Sequence, residues 1–194
     1  MKNTKAKDSG VPLYQLKITL KWSKPPIWRR VVVRADMTLD RLHQVMQLVM
    51  GWSNSHLHQF VAGRTNYGMK DPDLGDLNDD TLDEGSFTVA DLAPAAKAKF
   101  LYEYDFGDGW QHEVRVEKVL PPDAGFKHPI CEGGANACPP EDCGGMQGYY
   151  NLLEALGDPK HPEHEELADW IVGPFDAGKF DLAGTNRHLK SLRA

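Results

Sequence analysis

Between residues 14 and 22 apolar and polar side chains alternate, with Leu16, Ile18 and Leu20 on one side and Gln15, Lys17, Thr19 and Lys21 on the other. A period of two is that of a strand with one buried face. Lys24-Pro25-Pro26 interrupts the pattern, and residues 27–34 follow with Val31, Val32 and Val33 in succession, so the two segments predict an antiparallel hairpin or wide turn. The period then lengthens. Leu39, Leu42, Val45, Met46 and Val49 recur at helical spacing behind two candidate N-caps, Asp36 and Thr38, and Gly51 stands where a helix often ends.

Residues 56–63 alternate again, His56, His58 and Phe60 against Leu57, Gln59 and Val61, with a short return through Asn66-Tyr67-Gly68. Residues 70–85 hold seven acidic side chains, two glycines and one proline, the composition of a solvated loop. Calcium-loop spacing fails there, because Asp76-Leu77-Asn78-Asp79-Asp80 is followed by Thr81 where glycine is required. One helical turn is predicted over 88–92, then a strand over 99–106 with Phe100, Tyr102, Tyr104 and Phe106 on a common face. Gly107-Asp108-Gly109 turns the chain into a return strand, 110–119, whose Trp110, His112, Val114 and Val116 share a face. Helices are predicted over 147–156 and 162–172, stopped by Gly157-Asp158-Pro159 and Gly173-Pro174, and over about 186–192.

This element order predicts an α+β fold: a β-grasp-like mixed sheet wrapping one main helix, with an added β-hairpin and C-terminal helices. The expected division is a disordered leader, 1–12, and a single α+β domain, 13–194, made of a core to residue 120, a Cys/Pro/Gly loop over 121–146 and a helical part from 147.

At 194 residues with 41% hydrophobic and 26% charged side chains, the chain suits one well-buried core. No apolar run approaches the roughly 18 residues a bilayer span needs, and the polar first ten residues lack a signal peptide's apolar segment, so a cytoplasmic location and no membrane partner are expected. The net charge of −6 conceals a split: residues 1–50 carry ten Lys/Arg against three Asp/Glu, or +7, and the remainder twelve against twenty-five, or −13. Lys17, Lys21, Lys24, Arg29, Arg30 and Arg34, interleaved with Trp22 and Trp28, form a basic and aromatic hairpin suited to a phosphate backbone and to base stacking. The competing reading is a solvated sheet edge guarded by lysine. Nucleic acid or another protein is the expected partner, and a nucleotide cofactor is not, since no Walker loop or helix-opening Gly-x-Gly-x-x-Gly is present.

The reactive side chains concentrate between residues 100 and 145. Asp105, Asp108 and His112 lie in one hairpin, and Glu141 and Asp142 follow across a loop, a set able to converge on a divalent ion or a water and to act on a phosphoester, with His112 as base or ligand. Against catalysis, Asp105 and Asp108 flank Phe106-Gly107, where aspartates bind turn amides, and His112 alternates with Trp110 and Val114 as a core residue does. Three cysteines spaced C-x6-C-x4-C leave one thiol outside any closed disulfide set. Zinc held by Cys131, Cys138 and Cys143, with His128 or His112 as fourth ligand, stands against simple packing of small thiols. His56 and His58 point the same way along a strand, yet as a pair without a third ligand they read as partly buried imidazoles. His58, Trp110, Lys21, Trp28, Arg29 and Arg30 complete the binding candidates.

Four blocks carry a resemblance: Pro25-Pro26-Ile27-Trp28-Arg29-Arg30, Leu57-His58-Gln59-Phe60, Tyr104-Asp105-Phe106-Gly107-Asp108-Gly109-Trp110-Gln111-His112 and Ala137-Cys138-Pro139-Pro140-Glu141-Asp142-Cys143-Gly144-Gly145. In these the chain resembles the Ri-plasmid open-reading-frame-three-like family, from about residue 14 through Phe175 and Phe180-Asp181-Leu182. Some members of that family, whose biochemical function is unknown, are labelled TnpR-like passenger proteins of insertion elements. The resemblance implies mobile-element association, one α+β domain, and a shared surface at Asp105, Asp108, Trp110, His112, Glu141 and Asp142. It does not carry recombination, because Ser9, Ser23, Ser53 and Ser55 lack the early Tyr-x-Arg-x-x-Ser setting of a serine recombinase. The leading expectation is a cytoplasmic binding or accessory protein with a cleft between the two longer motif blocks; metal-dependent phosphoester hydrolysis is the alternative.

Overall fold

The computed structural model of the chain describes residues 10–70, 80–171 and 173–192. Residues 1–9 of the leader expected over 1–12, residues 71–79 of the acidic stretch, with most of the rejected calcium spacing, and Val172 lie outside the described residues.

The elements run β1 (Leu13–Leu20), β2 (Trp28–Arg34), α1 (Leu39–Met50), β3 (His58–Ala62), β4 (Thr65–Gly68), β5 (Thr81–Asp83), α2 (Val89–Leu92), β6 (Lys99–Tyr104), β7 (Trp110–Leu120), β8 (Ile130–Ala135), α3 (Gly145–Gly157), α4 (His164–Trp170) and α5 (Leu182–Leu189). They make the expected α+β mixed fold. Eight strands join one sheet in the order β5-β4-β3-β6-β7-β1-β2-β8. The β4–β5 pair is parallel and the other neighbours are antiparallel.

Alternation decides which face is buried. Leu16, Ile18, Leu20, Val31, Val33, Tyr102, Val114 and Val116 point to one side, where they meet Leu39, Leu42, Val45, Met46 and Val49 of α1. Each large apolar side chain buried this way contributes about 1.5–3 kcal/mol. Tyr149 and Leu152 of α3 and Leu189 of α5 close the same core. Thr38 occupies the N-cap position of α1 without a side-chain cap bond, and Gly51, at φ +88°, ends the helix with its N–H on the Gln47 carbonyl.

Local patterning mispredicted four places. The 121–146 loop contains β8, whose Glu132-Gly133-Gly134-Ala135 lacks strand propensity but pairs with the free edge of β2. The acidic stretch likewise contributes β5, recruited by the edge of β4. Phe106 does not continue the buried face of β6: Asp105 adopts φ +54° and turns the chain, leaving Phe106 55% exposed. Helix α5 also begins four residues earlier than the periodicity suggests, at Leu182, because Asp181 accepts the Gly184 N–H and caps it there.

A docked loop and a histidine-lined cleft

The cysteine-bearing segment folds back over the β6–β7 hairpin, and polar groups hold it there. The Gly144 N–H donates to Asp108 Oδ2 at 3.1 Å, Trp52 Nε1 donates to the Pro139 carbonyl at 3.0 Å, and the Tyr104 hydroxyl donates to Glu141 Oε1 at 2.5 Å. Burial works against ionisation of Glu141, but hydrogen bonds from Ser53 and Tyr104 outweigh it and hold the carboxyl below the usual glutamate range. The approach is closest at Gly145, φ +67°, where a β-carbon would strike the Asp108 carbonyl oxygen. Gly145→Ala is therefore expected to cost about 2 kcal/mol and to loosen the loop from the hairpin, read as a lower denaturant midpoint and faster amide exchange at Gly144.

Docking separates the acidic candidates. Asp105 Oδ1 accepts the Gly107 and Asp108 amides at 3.0 and 3.3 Å, leaving Oδ2 turned toward His56 Nε2, 3.7 Å away. Asp142 Oδ1 lies 3.1 Å from the same nitrogen. His56, Asp105 and Asp142 are the one group of three among the described residues whose potential ligand atoms lie within 4.8 Å of one another. Asp108 and Glu141 are instead engaged in the loop hydrogen bonds. His112 stands in the core with no solvent exposure and neither ring nitrogen hydrogen-bonded; burial pulls its pKa down to about 3. Trp110 is also enclosed, its indole N–H without a partner.

Beside His56 opens a cleft of about 620 Å³, lined by Asp40, His43, Asn54, His58, Glu84 and Phe106 among others. Its floor is a stack: the His43 and His58 rings lie 3.4 Å apart and 5° from parallel. Gln47 donates to the Tyr102 hydroxyl at 3.0 Å, and that hydroxyl lies 2.7 Å from His43 Nδ1. On the far side of the ring Nε2 lies 2.6 Å from Asn54 Oδ1, which can only accept, so the proton resides on Nε2 and Nδ1 accepts from Tyr102. Burial, then the neighbouring His58, lowers the His43 pKa to about 4. His58 Nε2 lies 2.8 Å from Oε2 of Glu84, a carboxylate only 6% exposed. His43, Asn54, Asp40 and Glu84 were not among the sequence candidates. The available signal was a histidine and a glutamine, His43 and Gln47, one turn apart on the otherwise apolar face of α1.

The basic hairpin is largely committed internally. Arg29, expected to meet a ligand, is 2% exposed and donates to the carbonyls of Val49, Trp28 and Ala135. Arg30 forks onto Glu117, and Lys21 donates to Gln111 at 3.0 Å. Trp28 lies between Lys17 and Arg30, each 5.2 Å from its ring. Cys131, Cys138 and Cys143 are free thiols whose pKa values burial pushes up, that of Cys143 to about 12. They do not converge with His112 or His128 into a group of three, and His128 Nδ1 lies 2.9 Å from the Pro129 carbonyl of its own loop. Among the described residues no helix is long and apolar enough to cross a membrane.

Comparison with known proteins agrees with this architecture. The chain is 37% identical over 182 residues to an uncharacterized protein, y4hQ, of Sinorhizobium fredii, covering 93% of this chain and 92% of that one. A crystal structure of a protein of unknown function, MM3350 from Methanosarcina mazei Go1, superposes with a TM-score of 0.78 at 34% identity, covering 90% of this chain and 97% of the other. The family described as plasmid pRiA4b ORF-3-like protein matches residues 12–184, a span that takes in the hairpin, the docked loop and the cleft, and the chain belongs to that family.

Proposed function

We propose that this protein is a binding module of the cytoplasm, and that its occupant is a small polar ligand rich in hydrogen-bond donors, seated in the cleft over the His43–His58 stack. One observation carries the reading: the cleft floor is built from groups that cost stability to bury. Two stacked imidazoles and a nearly enclosed carboxylate, Glu84, occupy positions that apolar residues would fill more favourably. Groups of this kind, preorganised at the base of a roomy cleft, are the ordinary signature of a ligand site. Asp40 Oδ1, shut off from solvent without a partner, and Glu84 give the floor an excess of acceptors, hence the preference for donors.

Hydrolysis by the expected five-residue cluster has less support. Asp105 and Asp142 alone of the five approach one another around an open position, and His112 is sealed in the core. A nucleic-acid partner at the β1–β2 hairpin draws little from the side chains, with Arg29 interior and Arg30 paired.

Ligand-observed NMR on the full chain tests the cleft with sets of small amines, guanidines, polyols, carboxylates and hydrocarbons. Binding concentrated in the donor-bearing sets, and lost in Glu84→Gln with circular dichroism unchanged, is expected. Binding confined to carboxylates or hydrocarbons, or indifferent to Glu84→Gln, would overturn the proposal.

A further inference from the structure

The geometry points to a divalent-cation site formed by His56 Nε2, an oxygen of Asp105 and an oxygen of Asp142, at the rim of the cleft and independent of what the cleft itself holds. These residues come from three separate segments: the loop after α1, the turn of the β6–β7 hairpin and the docked loop. Loop docking is what brings them together.

A simple ion pair does not account for the arrangement. Two carboxylate oxygens lie 3.1 and 3.7 Å from His56 Nε2, yet that nitrogen, itself closed to solvent, makes a hydrogen bond to neither. An imidazolium held by aspartate would direct its N–H along one of those two lines. Here both oxygens lie within 4 Å of the nitrogen and neither takes its N–H, as for three ligands that share a third body.

The surroundings match those of a supported ligand set. Asp105 has one oxygen fixed by two turn amides and the other free to coordinate, so its orientation is set before any ion arrives. The His56 ring is braced edge-on against Tyr104, 5.7 Å away, and Tyr104 is anchored through its hydroxyl to Glu141. Glu141, held as a carboxylate by hydrogen bonds from Ser53 and Tyr104, adds negative potential beside His56.

Donor chemistry narrows the ion. One imidazole nitrogen with two carboxylate oxygens suits Mn²⁺, Fe²⁺, Co²⁺ or Zn²⁺, whereas Ca²⁺ prefers an all-oxygen shell of six to eight ligands. Three protein ligands leave coordination positions for water or a further ligand, as in open sites.

The test is calorimetric titration of the full chain, stripped with chelator and desalted, with Mn²⁺ and Zn²⁺, together with the visible spectrum of the Co²⁺ form. About one equivalent is expected, with Co²⁺ showing weak ligand-field bands and no thiolate charge-transfer band. Asp142→Asn, at a side chain 69% exposed and so harmless to folding, is expected to weaken binding by about tenfold or more, and His56→Gln further. Cys143→Ser should leave it unchanged. No binding up to millimolar metal, full affinity in Asp142→Asn, or a thiolate band would overturn the site.

Discussion

Acidification from pH 7.5 to 5 is expected to remove about 4 kcal/mol of folding stability through two histidines alone. His112 and His43 have folded-state pKa values lowered from 6.5 to about 3 and about 4, in both cases chiefly by burial. The sign follows from proton counting. Below pH 6.5 the unfolded chain takes up a proton at each ring and the folded chain does not, so stability falls with pH and levels off only below the folded values. Each ring contributes about 1.4 kcal/mol per pH unit, hence about 2 kcal/mol by pH 5. Urea denaturation at pH 7.5, 6, 5 and 4.5 gives the slope, and His112→Leu should remove about half of it between pH 6.5 and 5. Carboxylates held low by partners, such as Glu113 and Glu117, add their losses at lower pH, which keeps the two contributions apart. A flat profile between pH 6.5 and 5 would mean that water or a partner reaches these rings.

Arg29→Ala is expected to destabilise the protein by about 3 kcal/mol. Its guanidinium ties α1 to β8, donating to Val49 at 2.8 Å and to Ala135 at 3.0 Å, and lies 3.9 Å from the centre of the Phe180 ring. Truncation removes a donor from three carbonyls, those of Val49, Trp28 and Ala135, at about 1–3 kcal/mol for each one left unsatisfied, and opens a void beneath Phe180; relief of a buried charge offsets part of that loss. Arg29→Lys should recover little, because an ammonium lacks the planar fork that spans several carbonyls and stacks on a ring. Arg30→Ala, which breaks a partly exposed pair with Glu117, is expected to cost below about 1 kcal/mol. Guanidinium denaturation of the three variants separates these outcomes, and equal midpoints for Arg29→Ala and Arg30→Ala would show that Arg29 does not brace the core.

The adjacent pair Arg29 and Arg30 shows where local reasoning stops. Alternation places them on opposite faces of β2, but it does not reveal which face the rest of the chain covers when both positions are basic. Tertiary packing put Arg29 against α1 and Phe180 and left Arg30 on the outer face with Glu117. The same limit explains β8, where an edge supplied by β2 overrode two glycines, and His56, which read with His58 as a partly buried imidazole because the two aspartates near it lie in segments about fifty and ninety residues away in sequence.

Sequence alone determined what depends on near neighbours: the strands around Leu16 and Tyr102, the helix from Leu39 to Gly51, the Gly107-Asp108-Gly109 turn, and the concentration of reactive groups in the hairpin and the loop beyond it. These follow from side-chain periodicity and backbone preference, which act over a few residues. Only the tertiary structure decided which of those groups share a site. Loop docking joined Asp105 and Asp142 to His56, turned Asp108 and Glu141 into anchors, and enclosed His112, because hydrogen-bond satisfaction and core packing are settled between segments distant along the chain.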